Sequence, residues 1–230
     1  MLKVGGLHKV SLIDYPGLIT AVVFLQGCNF RCPYCHNPEL VQPKLYGPCI
    51  PEKTLLAFLE KRRGKLDAVT ITGGEPTLQE RLPEFMRSVH NLGFKIKLDT
   101  NGSFSGVIQA LLEEQLVDYI AMDIKGPLHR YDRVCRVNVD KQEIKNSIRL
   151  IRNAAVDYEF RTTLVKNLLD EQDLLDMGEM IRGARLFVLQ KFIPTKTLDE
   201  RYLHREAFPD TEIESMAYAL GQFVEKVAVR

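Results

Sequence analysis

The run Leu18-Ile-Thr-Ala-Val-Val-Phe-Leu25 leads straight into Gln26-Gly-Cys28-Asn-Phe-Arg-Cys32-Pro-Tyr-Cys35. Its first half, β-branched and apolar, predicts a buried strand. Its second half carries three cysteines in the spacing C-x3-C-x2-C. The thiols therefore sit on a loop that leaves the end of a core strand, a usual place for chemistry.

Zinc sites usually pair two cysteine knuckles and take four ligands. Here Cys49 and Cys135 stand alone and form no second knuckle. Disulfide pairing would leave an odd thiol in the cluster. Iron–sulfur clusters are held by cysteine thiolates. Three thiolates on a four-iron, four-sulfur (4Fe–4S) cluster leave one iron open, as catalysis at a metal requires. The spacing thus points to Cys28, Cys32 and Cys35 as cluster ligands. The bland alternative is three small residues packed on a loop. Cys49 and Cys135 read as structural thiols.

Downstream, strands and helices alternate. Strands are expected over 68–72, 94–99, 118–124, 158–165 and 186–192, after the first at 18–25. Helices are expected over 52–63, 79–91, 107–116, 142–153 and 170–181, each with an apolar stripe at helical spacing. A last helix should start near Thr211, where Thr211 and Glu214 could form a capping box. Its inner face would run from Ile213 to Val227. The proline-rich stretch 38–51 reads as a loop. Six strands, each followed by a helix, argue for a parallel sheet with helices outside. Periodicity does not separate an open doubly wound sheet from a curved partial barrel. Both place the site at the carboxyl ends of the strands.

Polar residues gather at those ends. Strand two runs into Gly73-Gly74-Glu75-Pro76, strand three ends at Asp99 and Asn101, and strand four at Asp123 and Lys125. Strand five carries Arg161 and strand six Gln190. Each alone reads equally well as a solvated loop charge or a salt bridge. The ordered set is what a packed core would not need.

With 230 residues the chain suffices for one domain with a real core, and a single domain over 1–230 is expected. A net charge of +1 gives no bulk field toward nucleic acid or acidic membrane. No export signal or membrane-length apolar run stands out, and reduced thiols suit the cytoplasm.

C-x3-C-x2-C with Tyr34 before the third cysteine resembles the signature of the radical S-adenosylmethionine (SAM) superfamily. Ser11-Leu-Ile-Asp-Tyr-Pro-Gly17, Phe24-Leu-Gln-Gly-Cys28 and Tyr34-Cys-His-Asn-Pro38 resemble a narrower group. That group comprises the anaerobic ribonucleoside-triphosphate reductase activating proteins, related to pyruvate formate-lyase activating enzyme. The resemblance implies a partial (β/α)6 barrel, a 4Fe–4S cluster and SAM. It implies that SAM is cleaved reductively and that a glycyl radical is raised on a partner enzyme, with reduced flavodoxin or ferredoxin as electron donor. It gives Gly73, Gly74 and Glu75 to the methionine amino group of SAM. Asp99 and Asp123, with Thr100, would lie beside a monovalent cation, and Lys125 and Arg161 near the SAM carboxylate. Tyr34 and Asn101 join the cofactor-binding set, and His36 stands near the cluster without ligating it. Two other readings remain: a radical SAM enzyme acting on a small molecule or nucleotide, and a non-catalytic iron–sulfur electron carrier.

Overall fold

The computed structural model describes residues 2–230. Its centre is one eight-stranded sheet whose strands run in sequence order from one edge to the other. A first strand, β1 (Val4–Ser11), pairs antiparallel with β2 (Thr20–Leu25). A short helix α1 (Pro38–Val41) and helix α2 (Glu52–Glu60) follow the cysteine loop. Five units then succeed one another. β3 (Ala68–Gly73) leads to α3 (Leu82–Asn91), and β4 (Lys95–Thr100) to α4 (Ser105–Glu113). β5 (Tyr119–Asp123) is followed by a short α5 (Tyr131–Cys135) and by α6 (Lys141–Arg152). β6 (Asp157–Leu164) leads to α7 (Glu171–Met180), and β7 (Phe187–Lys191) to α8 (Asp210–Leu220) and β8 (Val227–Val229). From β2 to β8 every pairing is parallel. This is the partial TIM-like barrel that was expected.

The six strands read from the sequence are β2 to β7. Their burial explains why they were legible: Ala21, Val22, Val23, Val69, Ile71, Ile96 and Ile120 are all buried on a sheet covered by helices. On α3, Leu82, Phe85, Met86 and Val89 form the expected stripe and are all buried. Full burial of one such side chain contributes about 1.5–3 kcal/mol. At the base of the barrel, Asp67 accepts from the Ile19 N–H (2.9 Å) and Asp118 from the Ile96 N–H (2.8 Å), tying strand starts to their neighbours.

Four local expectations change. β1 was not foreseen; its partly exposed edge lacks the buried pattern of the other strands. α8 begins one residue earlier than expected, after Pro209, and Thr211 makes no cap. Val227 lies in β8, not on a helix. The stretch 38–51 holds a four-residue helix and a 3-10 turn. The capping box of the chain is at α7, where Asp170 and Asp173 bond each other's backbone N–H groups. Among the described residues no helix is long and apolar enough to cross a membrane.

Candidate functional site

A cavity of about 320 Å³ opens at the carboxyl ends of the strands. Successive strand ends contribute Cys28, Gly74, Asp99, Asp123, Arg161 and Gln190 to its wall. The convergence expected from the sequence is therefore realised in space.

The cysteine loop is held by its own backbone and by a guanidinium. The Cys35 N–H donates to the Cys32 carbonyl (3.1 Å). Arg31 Nη1 donates to the carbonyls of Cys28 (2.6 Å) and Phe30 (2.8 Å), and the Phe30 N–H points to Cys28 Sγ (3.4 Å). All three thiols reach the cavity. Burial pushes the Cys28 thiol up to about 12 and raises that of Cys35. Cys32 is lowered to about 7, chiefly because the Cys135 thiol lies against it and favours its charged form. Cys135, read as a scattered structural thiol, thus packs beside the cluster loop, and its carbonyl accepts from the Arg31 N–H (2.8 Å). Cys49 is exposed.

Three thiols on one loop, facing a shared cavity, fit a polynuclear cluster that takes its thiolates at separate corners. Among the described residues, no three Cys, His, Asp or Glu side chains converge on a single-ion site. His36 follows Cys35, bonds the Ile193 carbonyl through Nε2 (2.8 Å) and stacks on Phe192 at 5.4 Å. It links the cysteine loop to the chain beyond β7. That chain also reaches the loop through the Asp199 N–H to the Pro33 carbonyl (3.0 Å) and through Lys196 to Glu39 (2.7 Å).

The turn after β3 approaches the cysteine loop too closely for side chains. The Gly74 N–H donates to the Leu25 carbonyl (2.8 Å) and the Glu75 N–H to that of Gly27 (2.7 Å). A Cβ on Gly74 would stand 2.0 Å from the Gly27 carbonyl oxygen. One on Gly73, whose φ is +124°, would stand 2.3 Å from the Leu25 nitrogen. Only glycine permits this cradle.

Glu75 is fully buried. Its Oε1 accepts from the Thr77 N–H (3.1 Å), Thr77 Oγ1 (2.5 Å) and Thr100 Oγ1 (2.7 Å). Its Oε2 accepts from the Asn101 N–H alone (2.6 Å). All four donors are neutral. Burial therefore dominates and raises its pKa above the usual carboxylate value.

Across the cavity runs a row of charge. Lys97 pairs with Asp99 (2.5 Å), and Arg161 bonds both Asp99 (Nη1, 3.3 Å) and Asp123 (Nε, 3.0 Å). Lys125 closes on Asp123 at 3.3 Å. Asp123 stands opposite Arg161 in the β5–β6 register, which explains the second of these bonds. Burial would raise Asp123, but Arg161 and Lys125 outweigh it and hold the carboxyl at about 2. Of this row Asp99, Asp123, Lys125 and Arg161 line the cavity, two cations and two carboxylates, while Lys97 lies behind the wall. Arg161 lies between the two aspartates that the resemblance places beside a monovalent cation. Tyr34 is buried among the cluster residues, and burial raises its pKa well above the usual value.

Two residues at the site, one on the wall and one behind it, escaped the sequence reading. Asp14 lines the cavity and accepts from Ser11 Oγ (2.5 Å), although the Ser11–Gly17 string had been singled out. Asn29, directly after Cys28, bonds Asn101 and Ser103 far along the chain. Only their sequence neighbours could have flagged either.

The family profile described as the Radical SAM superfamily matches residues 22–179. A Methanocaldococcus jannaschii protein named for glycyl-radical enzyme activation is 34% identical over 232 residues, covering 99% of this chain and 95% of its own. The pyruvate formate-lyase-activating enzyme of Clostridium pasteurianum is 29% identical, covering 86% of this chain and 84% of its own. Among solved structures, Streptococcus suis SuiB bound to the precursor peptide SuiA matches with a TM-score of 0.70 at 12% identity. That match covers 91% of this chain and 48% of the longer SuiB chain, and it speaks to the fold alone.

Proposed function

Since the chain belongs to the radical SAM superfamily, in its glycyl-radical enzyme activating branch, we propose that its partner is an anaerobic ribonucleoside-triphosphate reductase. The cofactors are a 4Fe–4S cluster and SAM. Together they supply reductive cleavage of the sulfonium and removal of a hydrogen atom from a glycine Cα of the partner. Cys28, Cys32 and Cys35 hold the cluster. Reduced flavodoxin or ferredoxin provides the electron.

One observation carries the assignment of SAM contacts. The cavity presents a buried carboxylate met only by neutral donors on one side, and the cations Lys125 and Arg161 on the other. The methionine end of SAM carries an ammonium and a carboxylate, the complementary pair. Glu75 takes the ammonium, through a charge-assisted bond. Lys125 and Arg161 face the carboxylate. Gly73 and Gly74 let backbone approach the ligand, and Tyr34 and Asn101 shape the wall. Asp99 and Asp123 fix the Arg161 guanidinium. Their burial excludes water and strengthens each of these contacts. The narrower choice of partner rests on the strings Ser11–Gly17, Phe24–Cys28 and Tyr34–Pro38.

The test is radical transfer to purified partners. Reconstituted protein, SAM and dithionite should raise a glycyl EPR doublet on the ribonucleotide reductase. A doublet on pyruvate formate-lyase alone would move the partner to that class.

A further inference from the structure

Asn29, Asn101 and Ser103 close a ring of side-chain hydrogen bonds. Asn101 Nδ2 donates to Asn29 Oδ1 (3.0 Å), Asn29 Nδ2 to Ser103 Oγ (2.9 Å), and Ser103 Oγ to Asn101 Oδ1 (2.6 Å). Asn101 is itself pinned twice: its N–H donates to Glu75 Oε2 (2.6 Å), and its Oδ1 also accepts from the Ser103 N–H (2.9 Å). A continuous path thus runs from Glu75 at the end of β3, through Asn101 at the end of β4, to the residue that follows Cys28. The ring joins segments 72 and 74 residues apart.

We propose that this ring is a latch that positions Cys28 against the Gly73-Gly74-Glu75 turn, making Asn29, Asn101 and Ser103 positioning residues for the cluster. Cys28 is the loop cysteine most in need of one. Cys32 is buried and backed by Cys135. Cys35 is held by the turn bond to Cys32 and by the neighbouring His36 anchor on Ile193. Cys28 is, like Cys35, only partly buried; Arg31 holds its carbonyl, and its thiol meets only the Phe30 N–H of its own loop (3.4 Å). Asn101 is 5% exposed and spends its Oδ1 and one amide N–H on the ring, so within the latch it acts through Asn29. The cost of losing such a constraint is one of geometry: displacement of about 1 Å can lower a rate up to about a hundredfold.

The inference rests on the activase reading for its rate arm only. In cluster-free protein, iodoacetamide should label Cys28 about tenfold faster in Asn29→Ala and in Asn101→Ala than in the wild type. Cys35 labelling should not change. The double variant should be no faster than either single one, because each opens the same ring. Ser103→Ala provides the same reading if an asparagine variant fails to fold. In the loaded enzyme, Asn29→Ala should lower 5′-deoxyadenosine formation about tenfold at unchanged KM for SAM. Unchanged Cys28 labelling, equal acceleration at Cys35, or multiplying effects in the double variant would overturn the latch. A raised KM for SAM in Asn29→Ala would make the ring part of the cofactor pocket and overturn it too. Wild-type protein that formed no 5′-deoxyadenosine would defeat the activase reading, and the labelling would still decide the latch.

Discussion

Glu159, near the start of β6, and Glu75, just past the end of β3, are both fully buried, but their charges are met differently. Glu159 receives both guanidinium nitrogens of Arg230 (3.0 and 2.8 Å) and the Tyr119 hydroxyl (3.1 Å). Arg161 lies 3.9 Å away. That carboxylate is closed by cations from the protein. Glu75 is met by hydroxyls and backbone N–H groups only. A buried charge without a counter-charge is costly, and proteins normally pair it. The floor of the barrel thus closes its carboxylate with cations of its own, whereas the carboxylate at the mouth meets neutral donors alone. The same contrast separates the charged row, which has internal partners for both its acids, from the turn after β3.

The largest effects should come from the mouth. Replacing Cys28, Cys32 or Cys35 by Ala should abolish cluster binding and SAM cleavage, measured as iron content and 5′-deoxyadenosine. Gly74→Ala should follow, because its Cβ would meet a backbone oxygen that cannot yield. Overpacking of this kind costs roughly 1–3 kcal/mol, and here the displaced turn should lose SAM affinity beyond that drop in stability. Isothermal titration beside thermal melting separates the two losses.

The two glutamates offer the sharper test. Glu75→Ala should keep the iron but weaken SAM binding by about 1.5–3 kcal/mol, the scale of a charge-assisted hydrogen bond. Glu159→Gln should do the reverse: SAM affinity intact, with stability lowered by roughly 1–3 kcal/mol as Arg230 and Tyr119 lose their charged acceptor. Equal SAM affinities in the two variants would erase the distinction between floor and mouth. The smallest effect belongs to exposed Cys49, whose change to Ala should leave iron content and SAM cleavage as they are. Cluster loss in Cys49→Ala would overturn the three-ligand assignment.

What the sequence revealed follows the same division. β2, β3 and β5 were readable because strands covered on both faces are apolar almost throughout, and β4 and β6 because they alternate apolar and polar residues with the period of a strand. β8 was not, because Val224 and Val227 keep a three-residue spacing that suits a helix as well as a three-residue strand. The identities of the strand-end residues were readable, but their pairings were not. Arg161 meets Asp123 through sheet register, and meets Asp99 by reaching past β5 to β4. Asn29 was passed over, and Cys135 was read as a structural thiol without its place beside the cysteine loop, because their partners lie far along the chain and spacing carries no signal of such contacts.

The central claim is that the mouth delivers a radical to a glycine of another protein. Its most direct test is isotopic. A short peptide copying the glycine loop of the ribonucleotide reductase, deuterated at the glycine Cα, is incubated anaerobically with reconstituted protein, SAM and dithionite. Deuterium should appear in 5′-deoxyadenosine, and its formation should accelerate, whereas deuterated nucleotides should do neither. Deuterium arriving from a nucleotide or another small metabolite, and from no glycine-loop peptide, would contradict the account.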